Sequence, residues 1–80
     1  MEQKEDSYEG DMKDGKRHGF GKLIYSYGVT YIGEFKDGEY EGRGKLILPD
    51  KSYYEGNFKN GNLNGFGKYF NVFSLNMLFF

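Results

Sequence analysis

Two carboxylates, Glu39 and Glu41, and one histidine, His18, are the side chains whose types and spacing suggest acid–base or metal chemistry. General acid–base work needs such groups to converge in a pocket that shifts their pKa values. A metal site needs several His, Cys or carboxylate ligands facing one point. The chain contains no cysteine and a single histidine beside a turn, so no catalytic residue, metal or cofactor is expected. His18 reads as a solvated turn residue, and Glu39 and Glu41 as an exposed strand edge. Gly19-x-Gly21 lacks the further glycines, the Lys-Ser/Thr pair and the helix that a phosphate loop requires. Aromatics alternating with lysine could stack on single-stranded nucleic acid. However, 12 acidic residues are interspersed with 11 basic ones, which leaves no basic stripe, so nucleic acid is not an expected partner. What remains is recognition by rows of aromatic and lysine side chains.

Those rows come from an internal repeat. Tyr31 to Leu48 reads YIGEFKDGEYEGRGKLIL; the same pattern lies 23 residues earlier, YEGDMKDGKRHGFGKLIY from Tyr8, and 23 residues later, YEGNFKNGNLNGFGKYFN from Tyr54. A fixed period of this size marks a repeat architecture. Gly10/Gly33/Gly56, Gly15/Gly38/Gly61, Gly19/Gly42/Gly65 and Gly21/Gly44/Gly67 place all glycines but Gly28 in phase. Tyr8/Tyr31/Tyr54, Lys13/Lys36/Lys59 and Lys22/Lys45/Lys68 recur unchanged, and Met12/Phe35/Phe58 stay large and apolar.

Each copy must position its rows as a β-hairpin. Tyr8, Gly10 and Met12 alternate with Glu9, Asp11 and Lys13, the period-two pattern of a half-buried strand. Asp14-Gly15, repeated as Asp37-Gly38 and Asn60-Gly61, is a strong hairpin-turn signal. The second run puts Gly19, Gly21, Leu23 and Tyr25 on one face and Phe20, Lys22 and Ile24 on the other. Tyr27-Gly28 and Pro49-Asp50 reverse the chain between hairpins. Helix is disfavoured, since a glycine costs about 1 kcal/mol relative to alanine in a helix interior. The expected fold is all-β: three consecutive hairpins forming one elongated antiparallel sheet.

Two registers remain open. A two-residue loop sets Tyr8 opposite Gly21 and Gly10 opposite Gly19. A four-residue-type loop sets Tyr8 opposite Leu23, Gly10 opposite Gly21, and pairs Glu9 with Lys22, Glu34 with Arg43 and Glu55 with Lys68. Either way the glycines leave a trough in which Tyr and Phe rings lie flat.

Eighty residues form at most one domain, near the size where a single core is marginal. The absence of cysteine fits a reducing compartment, and the charged start, MEQKEDS, does not resemble a secretory signal, so a cytoplasmic location is expected. By period, 1–7 is a solvated tail, 8–71 carries the repeats (8–30, 31–53 and 54–76), and 72–80 is a divergent apolar segment. A fourth copy would need Tyr at 77 and Gly at 79, where Met77 and Phe79 stand. This segment reads as an edge-capping strand, a partner-binding or membrane-touching tail, or a truncation; these alternatives stay open. An open sheet edge calls for one of the first two.

The pattern Y-x-G-x-F-x-x-G-x-x-x-G-x-G resembles the MORN repeat (membrane occupation and recognition nexus), in three tandem copies from Tyr8 to about Tyr69. His18-Gly19 matches the family's frequent His-Gly, whereas Glu41 and Asn64 replace that histidine in the other copies. Met12 departs from the usual aromatic. The resemblance implies stacked hairpins in a twisted sheet. It also implies a role as scaffold, partner dock, dimerisation element or membrane-proximal module, as in ciliary radial-spoke heads or junctophilins, with any catalysis belonging to another domain.

The expected function is a non-enzymatic scaffold binding a protein partner, a helix or a sheet, through an aromatic–glycine face. Tyr8, Met12, Tyr25, Tyr31, Phe35, Leu48, Tyr54 and Phe58 are its candidate residues, forming an aromatic groove. Homodimerisation is left open. The alternative is a module that binds anionic phospholipid through the lysine rows, each lysine contributing roughly 1 kcal/mol, offset by the alternating acids. A ciliary or other cytoskeletal assembly is an expectation drawn from the resemblance alone.

Overall fold

The computed structural model describes residues 6–73 and 76–79. Seven strands follow one another in sequence order within one antiparallel sheet: β1 (Ser7–Lys13), β2 (Lys16–Ile24), β3 (Thr30–Lys36), β4 (Glu39–Ile47), β5 (Tyr53–Lys59), β6 (Asn62–Asn71) and β7 (Asn76–Phe79). The first six are the three expected hairpins. Residues 1–5 of the expected tail lie outside the described residues, and Ser7 already belongs to β1.

The turns explain why the hairpins close where they do. Asp14, Asp37 and Asn60 have φ of 51°, 50° and 51°, and the glycines after them 78°, 87° and 83°. Two successive positive φ values are the type I′ geometry, whose twist matches that of the flanking strands. Between hairpins, the Tyr25 amide donates to the Val29 carbonyl at 2.8 Å and the Leu48 amide to the Ser52 carbonyl at 2.8 Å. Lys51, at the position of Gly28, adopts φ 79°. Ser52 is fully buried; its amide donates to Asp50 Oδ1 at 2.8 Å and its Oγ accepts from the Val72 amide at 3.0 Å.

Both candidate registers occur, in different halves of each hairpin. Beside the turn, Lys13 faces Lys16 and Met12 faces Arg17, as a two-residue loop dictates; beyond it, Gly10 faces Gly21, Glu9 faces Lys22 and Tyr8 faces Leu23. A bulge between Gly10 and Met12 absorbs the difference, placing His18, Gly19 and Phe20 against Asp11 alone. The same shift recurs at Gly33/Phe35 and Gly56/Phe58. Gly19, Gly42 and Gly65 stand in these bulges with φ of 84°, 70° and 79°, a region that suits glycine. Asp11 Oδ2 and Glu34 Oε2 accept the bulge amides of Phe20 and Arg43 at 3.3 and 3.1 Å. Glu34 and Arg43, expected as a cross-strand charge pair, thus meet side chain to backbone.

Two transverse ladders result. One runs Tyr8, Leu23, Tyr31, Leu46, Tyr54, Tyr69; beside it on the same face runs Gly10, Gly21, Gly33, Gly44, Gly56, Gly67. The core is Leu23, Tyr31, Phe35, Tyr54 and Phe58, with Tyr8, Tyr25, Tyr40, Leu46 and Tyr69 packed against it.

β7 pairs with the connection-side half of β6: Asn76 faces Asn71, Met77 faces Phe70, Leu78 faces Tyr69 and Phe79 faces Lys68. The strand that follows β2 or β4 places Tyr31 opposite Leu23 or Tyr54 opposite Leu46. By the 23-residue period Met77 would stand opposite Tyr69, so β7 sits one residue out of phase.

Candidate functional site

The ring face is assembled from three recurring positions. Tyrosine comes first. Tyr31 crosses the backbone of Gly44, where a Cβ would come within 2.5 Å of Cε1 and closer still to the hydroxyl. Tyr8 lies in the same way over Gly21 and Tyr54 over Gly67. The rings replace the missing side chains. Their hydroxyls reach the bulge: Tyr8 Oη donates to the Asp11 carbonyl at 2.7 Å and Tyr31 Oη to the Glu34 carbonyl at 2.9 Å. Burial, then the Glu34 carboxylate, pushes the Tyr31 pKa up to about 12, and burial raises that of Tyr8.

The second position is Met12/Phe35/Phe58 and the third is Arg17/Tyr40/Leu63, which face each other beside the turns. Tyr40 stacks on Tyr31, with centroids 3.8 Å apart and planes 9° from parallel, and meets Phe58 of the next hairpin edge-on at 5.5 Å. In the first hairpin Arg17 takes that place, its guanidinium carbon 5.9 Å from the Tyr8 centroid and 5.6 Å from Phe35 of the next hairpin. The second and third hairpins also clasp the one before them: the Gly38 amide donates to the Arg17 carbonyl at 2.9 Å, and the Gly61 amide to the Tyr40 carbonyl at 3.1 Å. Arg17 Nη2 returns a bond to the Gly38 carbonyl at 3.0 Å.

The packing leaves the candidate residues of the aromatic face unequally exposed. Tyr31, Phe35, Phe58 and Tyr54 are 0, 3, 3 and 6 % exposed, so these rings cover one another. Met12, 56 % exposed, is the accessible member of the set. Tyr8, Tyr25 and Leu48 are half-buried. Tyr25 Oη lies 2.5 Å from Tyr40 Oη; burial, then this contact, raises the Tyr40 pKa well above the phenol range. Arg17 and Tyr40 are the residues that a reading of the repeat passes over. The signal was their register opposite Met12 and Phe35 in the two-residue loop.

The opposite face is open. Phe20 and Phe66, at one repeat position, are 60 and 82 % exposed, with Arg43 at the same position between them. Depressions of about 430 and 280 Å³ flank Arg43, one lined by Asn57, Phe66 and Lys68, the other by Phe20, Ile32 and Lys45. Two lysines of this face are engaged: Lys45 Nζ lies 4.2 Å from the Tyr53 centroid, and Lys68 pairs with Glu55 at 3.3 Å. Lys22 is exposed, as are Lys13, Lys36 and Lys59.

The acid–base candidates stay apart. Glu41 Oε1 accepts the turn amide of Asn60 at 3.2 Å, Glu39 is exposed, and His18 Nδ1 is shielded without a hydrogen-bond partner. Among the described residues no group of three or more His, Cys, Asp or Glu could hold a metal ion.

A family model described as MORN repeat matches residues 8–28, 31–53 and 54–71. The search of curated proteins returned no match.

Proposed function

Because the chain belongs to the MORN repeat family, we propose that it is a non-enzymatic scaffold whose protein partner docks on the face opposite the ring core, across Phe20, Arg43 and Phe66. The observation that carries this reading is the exposure of two phenylalanines on that face while the core rings are buried. Aromatic and arginine side chains supply most binding energy in protein interfaces. Strands lie about 4.8 Å apart, so these three residues, each two strands from the next, span about 19 Å. That spacing suits a helix or strand carrying apolar groups at both ends and an acidic group between them. Met12 and the half-buried Tyr8, Tyr25 and Leu48 would extend contact around the rim of the ring face.

The engagement of Lys45 and Lys68 by Tyr53 and Glu55 leaves Lys22 as the exposed member of that row, which favours this reading over capture of anionic phospholipid on the same face. A cytoplasmic location is proposed on the cysteine-free composition, and a ciliary or other cytoskeletal assembly on the family resemblance.

The test is affinity purification from native cells with the wild-type chain and with Phe20→Ser/Phe66→Ser, both shown by circular dichroism to keep the sheet. A defined protein retained by the first and lost by the second is expected. Identical retention by both overturns the docking face. Salt-sensitive flotation with phosphoinositide vesicles would instead favour the lipid alternative.

A further inference from the structure

The contact that joins consecutive hairpins is closed twice inside the chain and presents its two halves, unmatched, at opposite ends of the sheet. Inside, Phe35 and Phe58, both buried, lie against Arg17 and Tyr40 of the preceding hairpin. The turn amides of Gly38 and Gly61 bond the carbonyls of those same residues. At one end Met12, the counterpart of Phe35 and Phe58, is more than half exposed; at the other Leu63, the counterpart of Arg17 and Tyr40, is 57 % exposed. Among the described residues the Gly15 turn has no preceding hairpin to clasp, and Leu63 no following one. Among the described residues β1 is the edge of the sheet, and β6 is paired on its outer side from Lys68 to Asn71.

We propose that a second copy of this chain adds head to tail, its β1 pairing with the turn-side half of β6 in the register that joins the hairpins within one chain. By extension of Gly19 opposite Phe35 and Gly21 opposite Gly33, Gly65 faces Met12 of the second copy and Gly67 faces its Gly10. Its Gly15 amide bonds the Leu63 carbonyl, and its Met12 side chain covers Leu63.

Charge favours this occupant over a β1–β1 pair. Lys45 stands opposite Glu55 across a hairpin junction, and once β7 leaves the place opposite Lys68 the same register brings Lys68, held within the chain by Glu55, opposite Glu9 of the second copy. Pairing β1 with itself, Gly10 to Gly10, would set Glu9 against Asp11, a repulsive juxtaposition. The joint is heterologous, so it does not close into a dimer. β7 occupies the connection-side half of the β6 edge, including the place opposite Lys68, and therefore limits the joint. Displacing β7 lets it run the length of β1.

The proposal concerns self-association and does not depend on the partner face above. Sedimentation velocity on the full chain should show a concentration-dependent series extending beyond dimer. Leu78→Pro, which removes an amide from β7, should move that series to a concentration lower by about tenfold or more. Met12→Asp and Leu63→Asp, both at exposed positions, should each be monomeric. Their equimolar mixture should form a dimer and stop there, because one intact Met12 end meets one intact Leu63 end. The proposal is overturned if the wild type and Leu78→Pro both stay monomeric at millimolar concentration, if either aspartate variant associates like the wild type, or if the mixture stays monomeric.

Discussion

Tyr40 lies flat on Tyr31, their centroids 3.8 Å apart, and its hydroxyl is held 2.5 Å from that of Tyr25. One residue that follows no repeat rule thus seals the ring that every repeat shares. Tyr31 is enclosed between this cover and the glycine backbone below, and three consequences can be measured.

The glycines differ in what they do, and alanine should separate them. Gly44→Ala would drive a Cβ into the Tyr31 ring, an overpacking that costs about 1–3 kcal/mol or more where the neighbour cannot move. Gly38→Ala meets nothing within 4 Å and is strained only by its φ of 87°, a cost of about 1–2 kcal/mol. Urea unfolding of the two variants should place Gly44→Ala below Gly38→Ala; equal midpoints would refute the ring-over-glycine account.

Tyr31→Phe removes the hydroxyl bond to the Glu34 carbonyl and should cost about 1 kcal/mol at neutral pH. It should also blunt alkaline unfolding. The folded pKa of Tyr31 is raised from 10.0 to about 12, so in that window the unfolded chain binds fewer protons and stability falls as pH rises. The contribution is complete below pH 10 and lost on passing through about 12. Chemical denaturation at a series of pH values should show a shallower decline for Tyr31→Phe than for the wild type over that window.

Phe35→Ala with Phe58→Ala should unfold the chain. Each buried phenylalanine lost costs about 3–5 kcal/mol, against a total of about 5–15 kcal/mol for an ordinary domain. The strand signal in circular dichroism should collapse at room temperature. Retention of that signal would return these rings to the role of an open binding surface.

The hairpins were legible in the sequence because turn chemistry and alternation are local: Asp14-Gly15, Asp37-Gly38 and Asn60-Gly61 state the turns, and phased glycines state the face. The register stayed undecided for a physical reason. Two loop solutions each satisfied half of the pairs, and a bulge at Gly19, Gly42 and Gly65 lets both coexist. The ring face was legible as a row of tyrosine and phenylalanine but not as a closed core. Closure depends on a position that reads Arg17, Tyr40 and Leu63, three side chains with no shared chemistry, which a search for recurrence ignores. Phe20 was placed on the far face by alternation, yet the exposure of Phe20 and Phe66 there stands out only once the other rings are seen to be buried.

Burial of the repeated tyrosine runs from half-covered at Tyr8 through complete at Tyr31 to nearly complete at Tyr54. The middle hairpin is thus the thermodynamic keel of the ribbon, and amide exchange should be slowest in β3 and β4. Opening is then expected to proceed inward from β1, with exchange fastest there. The outermost strand should take up deuterium first, and whatever clamps that margin should slow uptake along the ribbon.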